Sequence, residues 1–555
     1  MRREQLLSEP VLGVEERIAK IEKEPLPPNI GALLEDAAAE VPDRVAWNFF
    51  ESGATITYEH LLAKVQALAA GFFHAGITKG CHVGVMLPNI SAFPLTWLAL
   101  GRLGAVMVPI NIAYTPRELQ FIVQNGDVEW LVVHDTCVTT LNALEEMPGL
   151  LRADRVLVVD EQPDGAPSKV PANPTYRPWA DVLEEGNGAT FPAVEVVLDD
   201  PMNIQYTSGT TGFPKGCVLS HRYWLTTSKV NAFRDGRKFR NILAPTPFFY
   251  MDPQWLLLMA FHQRGTIFFA KRQSPSHFMQ WVRNYQINFC LMPYIVLKQP
   301  PDPEDAHNQL TKVNVYGMPK ALHHEIEERF DLIAREAFGM TEAGTCLFMP
   351  MEATDMVGSG SCGRPGPFRK ARIVDEFGQP VNIGEVGELQ ISGPGMLQGY
   401  YKNPEATAAA FDGEWFRTGD LFKQDERGYF YIVGRVKDMI RRAGENIAAR
   451  EVEAVLNALP EVAESAAIPV PDETRGEEVK AYIVLRDGMT RQDMPVERIV
   501  EHCQAHLARF KVPRYLCYVD NLPKTPSGKI AKKTLVQSVT DLKAGSFDRT
   551  EGRWL

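Results

Sequence analysis

The chain has 555 residues, more than one hydrophobic core accommodates, so at least two domains are expected. Its composition is that of a globular protein, 45% apolar and 23% charged. The formal net charge of −11 argues against a general binder of nucleic acid or of an anionic membrane surface. Eight cysteines without C-x-x-C spacing suit a reducing compartment, so a cytoplasmic location is expected.

The first 28 residues contain no apolar run of the signal-peptide type, and none is expected to act as one. The most membrane-like stretch is "AFPLTWLALGRLGAVMVPI", but Arg102 and two prolines interrupt it. It reads as a helix followed by a buried strand, with no stable membrane insertion. "HVGVMLP" before it reads as a strand. "TPRELQFIVQNG" reads as a helix with Thr115 as N-cap and Pro116 in its first turn, and "VEWLVVHD" as the next strand. This βα alternation predicts parallel sheet. "EQPDGAPSKVPANPTYRP" is a proline-rich surface loop.

A second βα run follows, through "GTIFFA", "SPSHFMQWVRNYQ" and "NFCLMP". From about Glu385 the texture changes to short alternating strands with glycine turns, the signature of an antiparallel or barrel-like subdomain. After Arg435 comes a compact α+β pattern. The predicted fold is therefore α/β. A large N-terminal domain of βα-layered sheets with a small barrel-like subdomain occupies residues 1–435, and a small α+β domain, mobile if the resemblance given below holds, occupies 436–555. The last fifteen residues read as a loose tail. His323-His324 and His502-x-x-x-His506 are read as surface or packing residues, since two histidines alone make a poor metal set.

"YTSGTTGFPKG", residues 206–216, carries hydroxyls at Thr207, Ser208, Thr210 and Thr211, flexible backbone at Gly209 and Gly212, and the cation of Lys215. Close-approach glycines, hydroxyl donors and one point charge are what a phosphate group requires. The spacing departs from the Walker pattern, because Pro214 stands where the second glycine belongs.

The string resembles the phosphate loop of the adenylate-forming superfamily, which includes acyl-CoA synthetases, luciferases and stand-alone adenylation domains. Further signatures of that family follow in order. "REAFGMTEAG" resembles its aromatic-G-x-T-E motif. The resemblance implies that Phe338 stacks on adenine, beside Gly339 and Met340, and that Thr341 bonds the α-phosphate. Glu342 would be a hard oxygen ligand for Mg²⁺. Most relatives have tyrosine where Phe338 stands. "VYGMPKAL" falls where relatives have their adenine loop, which assigns Gly317, Met318 and Pro319 to the nucleotide. "WFRTGDLF" resembles the T-G-D motif and gives Asp420 to the ribose diol. "GRVKDMIRRAGENIAAREVE" resembles the hinge segment: Arg435 faces the ribose, Lys437 is the hinge, Arg441 is a nucleotide-facing cation, and Gly444 and Glu445 lie by the CoA thiol tunnel. "LPKTPSGKI" resembles the last motif and makes Lys529 the catalytic lysine.

The implied reaction joins a carboxylic acid to ATP as an acyl-adenylate, with Mg²⁺ and loss of pyrophosphate. CoA as co-substrate then takes the acyl group. Homodimerisation is a further expectation, and nucleic acid is not an expected partner. "PTPFFYMDPQW" replaces a common histidine with Tyr250. Phe249, Tyr250, Trp255, Tyr316 and Met318 are the candidates for lining the acid pocket. This region resembles most the carnitine/crotonobetaine-CoA ligase branch, and its aromatic faces suit a quaternary ammonium. Medium-chain, aryl and alicyclic acids stay open. Two rival readings are a stand-alone adenylation enzyme loading a carrier protein and a non-catalytic nucleotide-binding paralogue.

Overall fold

The structure is a computed structural model that describes residues 2–166, 168, 175–207, 214–443, 445–525 and 528–555, without the side chains at 437, 445 and 446. The chain divides into two compact units. The first comprises Met1–Thr207, Pro214–Lys370 and Ile391–Phe416; the second includes Ala371–Gln390 and Arg417–Leu555.

The larger unit is α/β and is built on two sheets. One has nine strands, in the order Arg364–Pro365, Gly344–Phe348, Ala334–Met340, Lys312–Val315, Phe289–Leu291, Asn241–Ala244, Thr266–Phe269, Val45–Phe49 and Ala54–Thr57. Its central pairings, from Ala334–Met340 across to Val45–Phe49, are all parallel. The other has eight strands, in the order Gly399–Tyr400, Lys215–Ser220, Pro201–Thr207, Val106–Pro109, His82–Met86, Trp130–His134, Val156–Val159 and Arg177–Pro178. Helices Ile30–Glu40, Tyr58–Ala75, Ala92–Leu103, His221–Phe233 and Met251–Gln263 share the principal core with side chains of both sheets. The membrane-like stretch is the helix Ala92–Leu103 followed by the buried strand Val106–Pro109. Among the described residues no helix is long and apolar enough to cross a membrane. Thr115 caps the helix Pro116–Asn125 in a complete capping box with Glu118.

Parallel strands place their connecting loops at one edge of the sheet, and open α/β sheets bind ligands at that carboxyl edge. Here the edge of the nine-stranded sheet collects the turns after Asn241–Ala244, Phe289–Leu291, Lys312–Val315 and Ala334–Met340. These turns carry Phe249 and Tyr250, Tyr294, Tyr316 to Pro319, and Thr341.

The smaller unit is α+β. The strands Trp415–Gln424 and Phe430–Arg435 pair antiparallel, as the glycine-punctuated pattern predicts. The sequence reading set this small sheet with the N-terminal domain, whereas compactness groups 371–390 and 417–435 with the C-terminal residues. A second sheet is crossed by helices Ala449–Asn457 and Val496–His506, which pack on each other. The expectation of a loose tail is corrected. Phe547–Asp548 and Arg553–Trp554 form a hairpin that extends this sheet from Tyr515–Tyr518. Its anchor is Asp548, 1% exposed and 3.0 Å from Arg514 Nη2. Two-residue strands have no hydrophobic period, so sequence alone does not reveal them.

Candidate active site

The two ends of the phosphate-loop sequence lie on paired strands. Pro201–Thr207 runs antiparallel to Lys215–Ser220, with Tyr206 opposite Gly216 and Thr207 opposite Lys215. Ser208, Gly209, Thr210, Thr211 and Gly212 lie outside the described residues. The hairpin base is closely packed: a Cβ on Gly216 would come within 2.6 Å of Ile204 Cγ2. Alternation along the first strand sends Met202, Ile204 and Tyr206 to one face and Asn203, Gln205 and Thr207 to the other.

That polar row is one element the sequence reading missed, and its signal was this alternation inside a buried strand. Trp97 Nε1 donates to Asn203 Oδ1 at 2.9 Å, and Asn203 Nδ2 donates to Gln254 Oε1 at 2.9 Å. Gln254 Nε2 donates to the carbonyls of Phe248 (2.9 Å) and Tyr250 (3.2 Å), and Gln205 Nε2 to that of Phe249 (2.8 Å). A buried amide relay thus fixes the backbone of 248–250, the first segment expected to line the acid pocket.

Of the pocket candidates, Trp255 is 2% exposed, donates through its indole N–H to Asp252 at 3.1 Å, and packs in the core, as does Phe249. Met318 is also buried, Tyr250 is half-buried, and Tyr316 is 46% exposed. Desolvation and then the Asp252 carboxylate push the Tyr316 phenol upward, although its ring is accessible. Tyr294 and Ile295, which were not candidates, are 39% and 42% exposed at the same sheet edge.

The nucleotide candidates Phe338, Gly339 and Met340 end the strand Ala334–Met340, with Thr341 and Glu342 in the turn that follows. Thr341 Oγ1 lies 3.7 Å from Met251 Sδ. Gly339 admits no side chain, because a Cβ would meet the Gly344 carbonyl at 2.7 Å. Arg335, 1% exposed, anchors the strand through Glu327 and the carbonyls of Pro350 and Met351. Glu336, two residues before Phe338 and on the same face, accepts from the backbone N–H of Gly317 (2.5 Å) and Met318 (3.1 Å). Gly317 takes φ 65°, a left-handed turn that presents both N–H groups to this one carboxylate. Glu336 was missed; a carboxylate in strand register with the aromatic was the available clue. It ties together Phe338 and the Gly317–Met318–Pro319 loop, the two stretches assigned to adenine.

Glu342 and Lys215, far apart in sequence, meet at Tyr400. Tyr400 Oη donates to Glu342 Oε1 at 3.1 Å, and Lys215 Nζ lies 4.6 Å from the centre of the Tyr400 ring. Among the described residues no group of three or more His, Cys, Asp or Glu could cage a metal ion. His323 is occupied by the Ala334 carbonyl and the Gly358 N–H, and His502 by the Val455 carbonyl.

In the smaller unit Asp420 stands opposite Arg435 on paired strands, 2.8 Å from its Nε. Asp420 is 4% exposed; burial raises its carboxyl, and Arg435, Lys529 and Arg450 pull it back. Lys529 is exposed beside a turn in which the Thr525 N–H donates to the Lys529 carbonyl at 2.7 Å and the Lys529 N–H to Thr525 Oγ1 at 3.2 Å. Gly528 takes φ 79° there. Arg441 is exposed, and its backbone N–H donates to Glu477. Lys437 lies in the one-turn helix Val436–Asp438 with its side chain outside the description. Glu445 begins the strand Glu445–Ala448, likewise without a described side chain, and Gly444 lies outside the described residues.

With this geometry in hand, comparison with known proteins is specific. The family described as AMP-binding enzyme matches residues 34–401, and the AMP-binding enzyme C-terminal domain matches 451–529. A crotonobetaine/carnitine–CoA ligase of Salmonella typhi is 31% identical over 525 residues, covering 91% of this chain and 98% of the relative. A sulfoacetate–CoA ligase of Cupriavidus necator is 31% identical over 517 residues, covering 91% and 97%. Among solved structures, ATP-bound MatB from Rhodopseudomonas palustris superposes with a TM-score of 0.81 at 26% identity, covering 93% of this chain and 99% of that one. The chain belongs to the AMP-binding enzyme family. It is an enzyme of the AMP-forming acid–thiol ligase class.

Proposed function

We propose the following division of labour for the two-step reaction of this class, in which a carboxylic acid is activated on ATP and transferred to CoA. The acid carboxylate attacks the α-phosphorus; its O–P bond forms as the bond from α-phosphorus to the bridging oxygen breaks, and pyrophosphate leaves. The CoA thiol, losing its proton, then attacks the acyl carbon, and AMP departs with the carboxyl oxygen. A free carboxylate is a poor acyl donor, and the mixed anhydride supplies the missing leaving group.

In this assignment the 207–212 loop and Lys215 hold the departing phosphates. Phe338 and the Gly317–Pro319 loop flank adenine, and Thr341 bonds the α-phosphate. Asp420, with Arg435, binds the ribose diol, while Lys529 bridges the acid and the α-phosphate as charge gathers there. Arg441 adds a cation, Lys437 is the hinge at a boundary near 435–437, and Gly444 with Glu445 flanks the thiol path. Glu342 and the Thr341 hydroxyl offer hard oxygens, and among the described residues no cluster of three or more His, Cys, Asp or Glu joins them, which fits Mg²⁺ held mainly by phosphate oxygens and water. When bound there, the ion neutralises the charge of the departing pyrophosphate. The observation that carries the assignment is the meeting of Lys215 and Glu342 on Tyr400: the proposed phosphate cation and the proposed hard oxygen ligand share one partner.

For the acid, the exposed Tyr294 and Tyr316, the half-buried Tyr250 and the Asp252 carboxylate acting on Tyr316 favour an uncharged or cationic body over a second anion. Eight cysteines without any C-x-x-C spacing favour a cytoplasmic location. The test is pyrophosphate release across betaine-type, matched neutral and dianionic acids, with CoA present or omitted. Release and thioester with a betaine or neutral acid is expected. A preference for dianionic acids would overturn the acid reading, and absence of CoA thioester with every active acid would point to a carrier protein.

A further inference from the structure

Tyr400 is absent from the motifs that define the site, yet two of the site's charges converge on it. Its backbone is fixed independently of its hydroxyl. Tyr400 pairs with Cys217 across antiparallel strands, and its N–H donates to Thr407 Oγ1 at 2.9 Å. On either side of it, the Leu397 N–H donates to the Glu342 carbonyl at 2.8 Å and the Tyr401 N–H to the Gly216 carbonyl at 2.7 Å. One short segment is thereby stitched both to the Glu342 turn and to the base of the phosphate hairpin. The half-buried ring then presents its face to Lys215, 4.6 Å away, and its hydroxyl to Glu342, 3.1 Å away.

We propose that Tyr400 is a positioning residue for ATP: its ring face holds the Lys215 ammonium and its hydroxyl orients the Glu342 carboxylate before the nucleotide arrives. A lysine side chain has much rotamer freedom to lose when it meets phosphate. Resting on an aromatic face, it has surrendered part of that freedom in advance. The resting contact is weaker than an ammonium–phosphate pair, so it yields when phosphate enters. The hydroxyl fixes the direction in which one Glu342 oxygen points. The inference rests on the roles proposed above for Lys215 and Glu342.

The test compares Tyr400→Phe, which keeps the ring, with Tyr400→Leu, which loses both contacts. Binding of ATP with and without Mn²⁺, and of AMP, is measured on the full chain by calorimetry beside thermal unfolding. Tyr400→Phe should weaken Mn²⁺ binding in the presence of ATP by about tenfold, the scale of one hydrogen bond to a charged group, and leave metal-free ATP near the parent value. Tyr400→Leu should also weaken metal-free ATP, by about threefold to tenfold. AMP, which lacks the outer phosphates, should bind all three proteins alike. Unchanged binding of Mn²⁺ with ATP in both variants would overturn the proposal, as would an equal loss of AMP affinity, which would make Tyr400 a packing residue. Lys215→Met and Glu342→Gln are measured alongside. If these leave ATP and Mn²⁺ binding intact, the underlying site assignment fails. If they weaken it and the Tyr400 variants do not, the Tyr400 inference fails alone.

Discussion

Asp420 and Arg435 face each other across a pair of antiparallel strands, with the Arg435 Nε 2.8 Å from Asp420 Oδ1. The carboxylate is 4% exposed, whereas nearly half of the arginine side chain is open to solvent. Burial wins over its cations and raises the Asp420 carboxyl. A carboxyl raised in the fold holds its proton more readily than in the unfolded chain. Its contribution to stability is therefore present below the ordinary aspartate range and lost as pH rises through the folded value. At neutral pH the ionised Asp420 costs stability, and binding of ribose is the function proposed to justify it. Asp420→Asn should raise the melting temperature at pH 7 to 8, and the gain should shrink as the pH is lowered toward 4. It should also lower kcat/KM for ATP by about a hundredfold, two charge-assisted hydrogen bonds' worth. An unaltered KM for ATP would remove Asp420 from the ribose.

Lys529 projects from a turn closed by Thr525 and is among the cations that offset the buried Asp420 charge. Its exposure leaves no packing role to lose. Lys529→Ala should reduce acid-dependent pyrophosphate release by about 10²- to 10³-fold, as for loss of one preorganised donor. Thioester formation from supplied acyl-adenylate should be largely spared. Equal loss in both half-reactions would contradict the assigned role.

The residues assigned to the reactants stand in local strings, because each motif gathers unusual residue types within about ten positions. The parallel layers were legible too, since the strands at Val106–Pro109 and Trp130–His134 are continuous apolar runs. What stayed hidden acts at a distance in sequence. Glu336 braces Gly317 and Met318, Tyr400 joins Lys215 to Glu342, and Gln254 answers Asn203. A single polar residue in a strand or turn gives no periodic signal, and its partner is chosen by the tertiary fold. The C-terminal hairpin escaped for the related reason that its strands are two residues long.

The one-turn helix Val436–Asp438 follows directly on the strand that carries Arg435. A hinge there must change backbone dihedrals between the two half-reactions, and proline would hold φ near one value. Lys437→Pro should slow transfer to CoA by about tenfold or more and alter pyrophosphate release far less, since a gating step is affected and not the chemistry of activation. Single-turnover measurement of each half-reaction separates the two. Equal effects on both would argue against a hinge at this residue.

Gln254 is fully buried, and its amide N–H groups hold the carbonyls of Phe248 and Tyr250 while its oxygen accepts from Asn203. Gln254→Leu keeps much of the volume but strands these buried partners. Leaving such groups unpaired costs about 1–3 kcal/mol each, so a loss of about 2–4 kcal/mol is expected, partly relieved by local movement. The movement should fall on residues 248–250, because the neighbouring anchors at Asn89 and Gln205 hold only Phe248 N–H and the Phe249 carbonyl. KM for the acid should therefore rise while KM for ATP stays near the parent value, since the loop proposed to flank adenine has its own brace in Glu336. A matching rise in both constants would show that the relay supports the whole site and not the acid segment in particular.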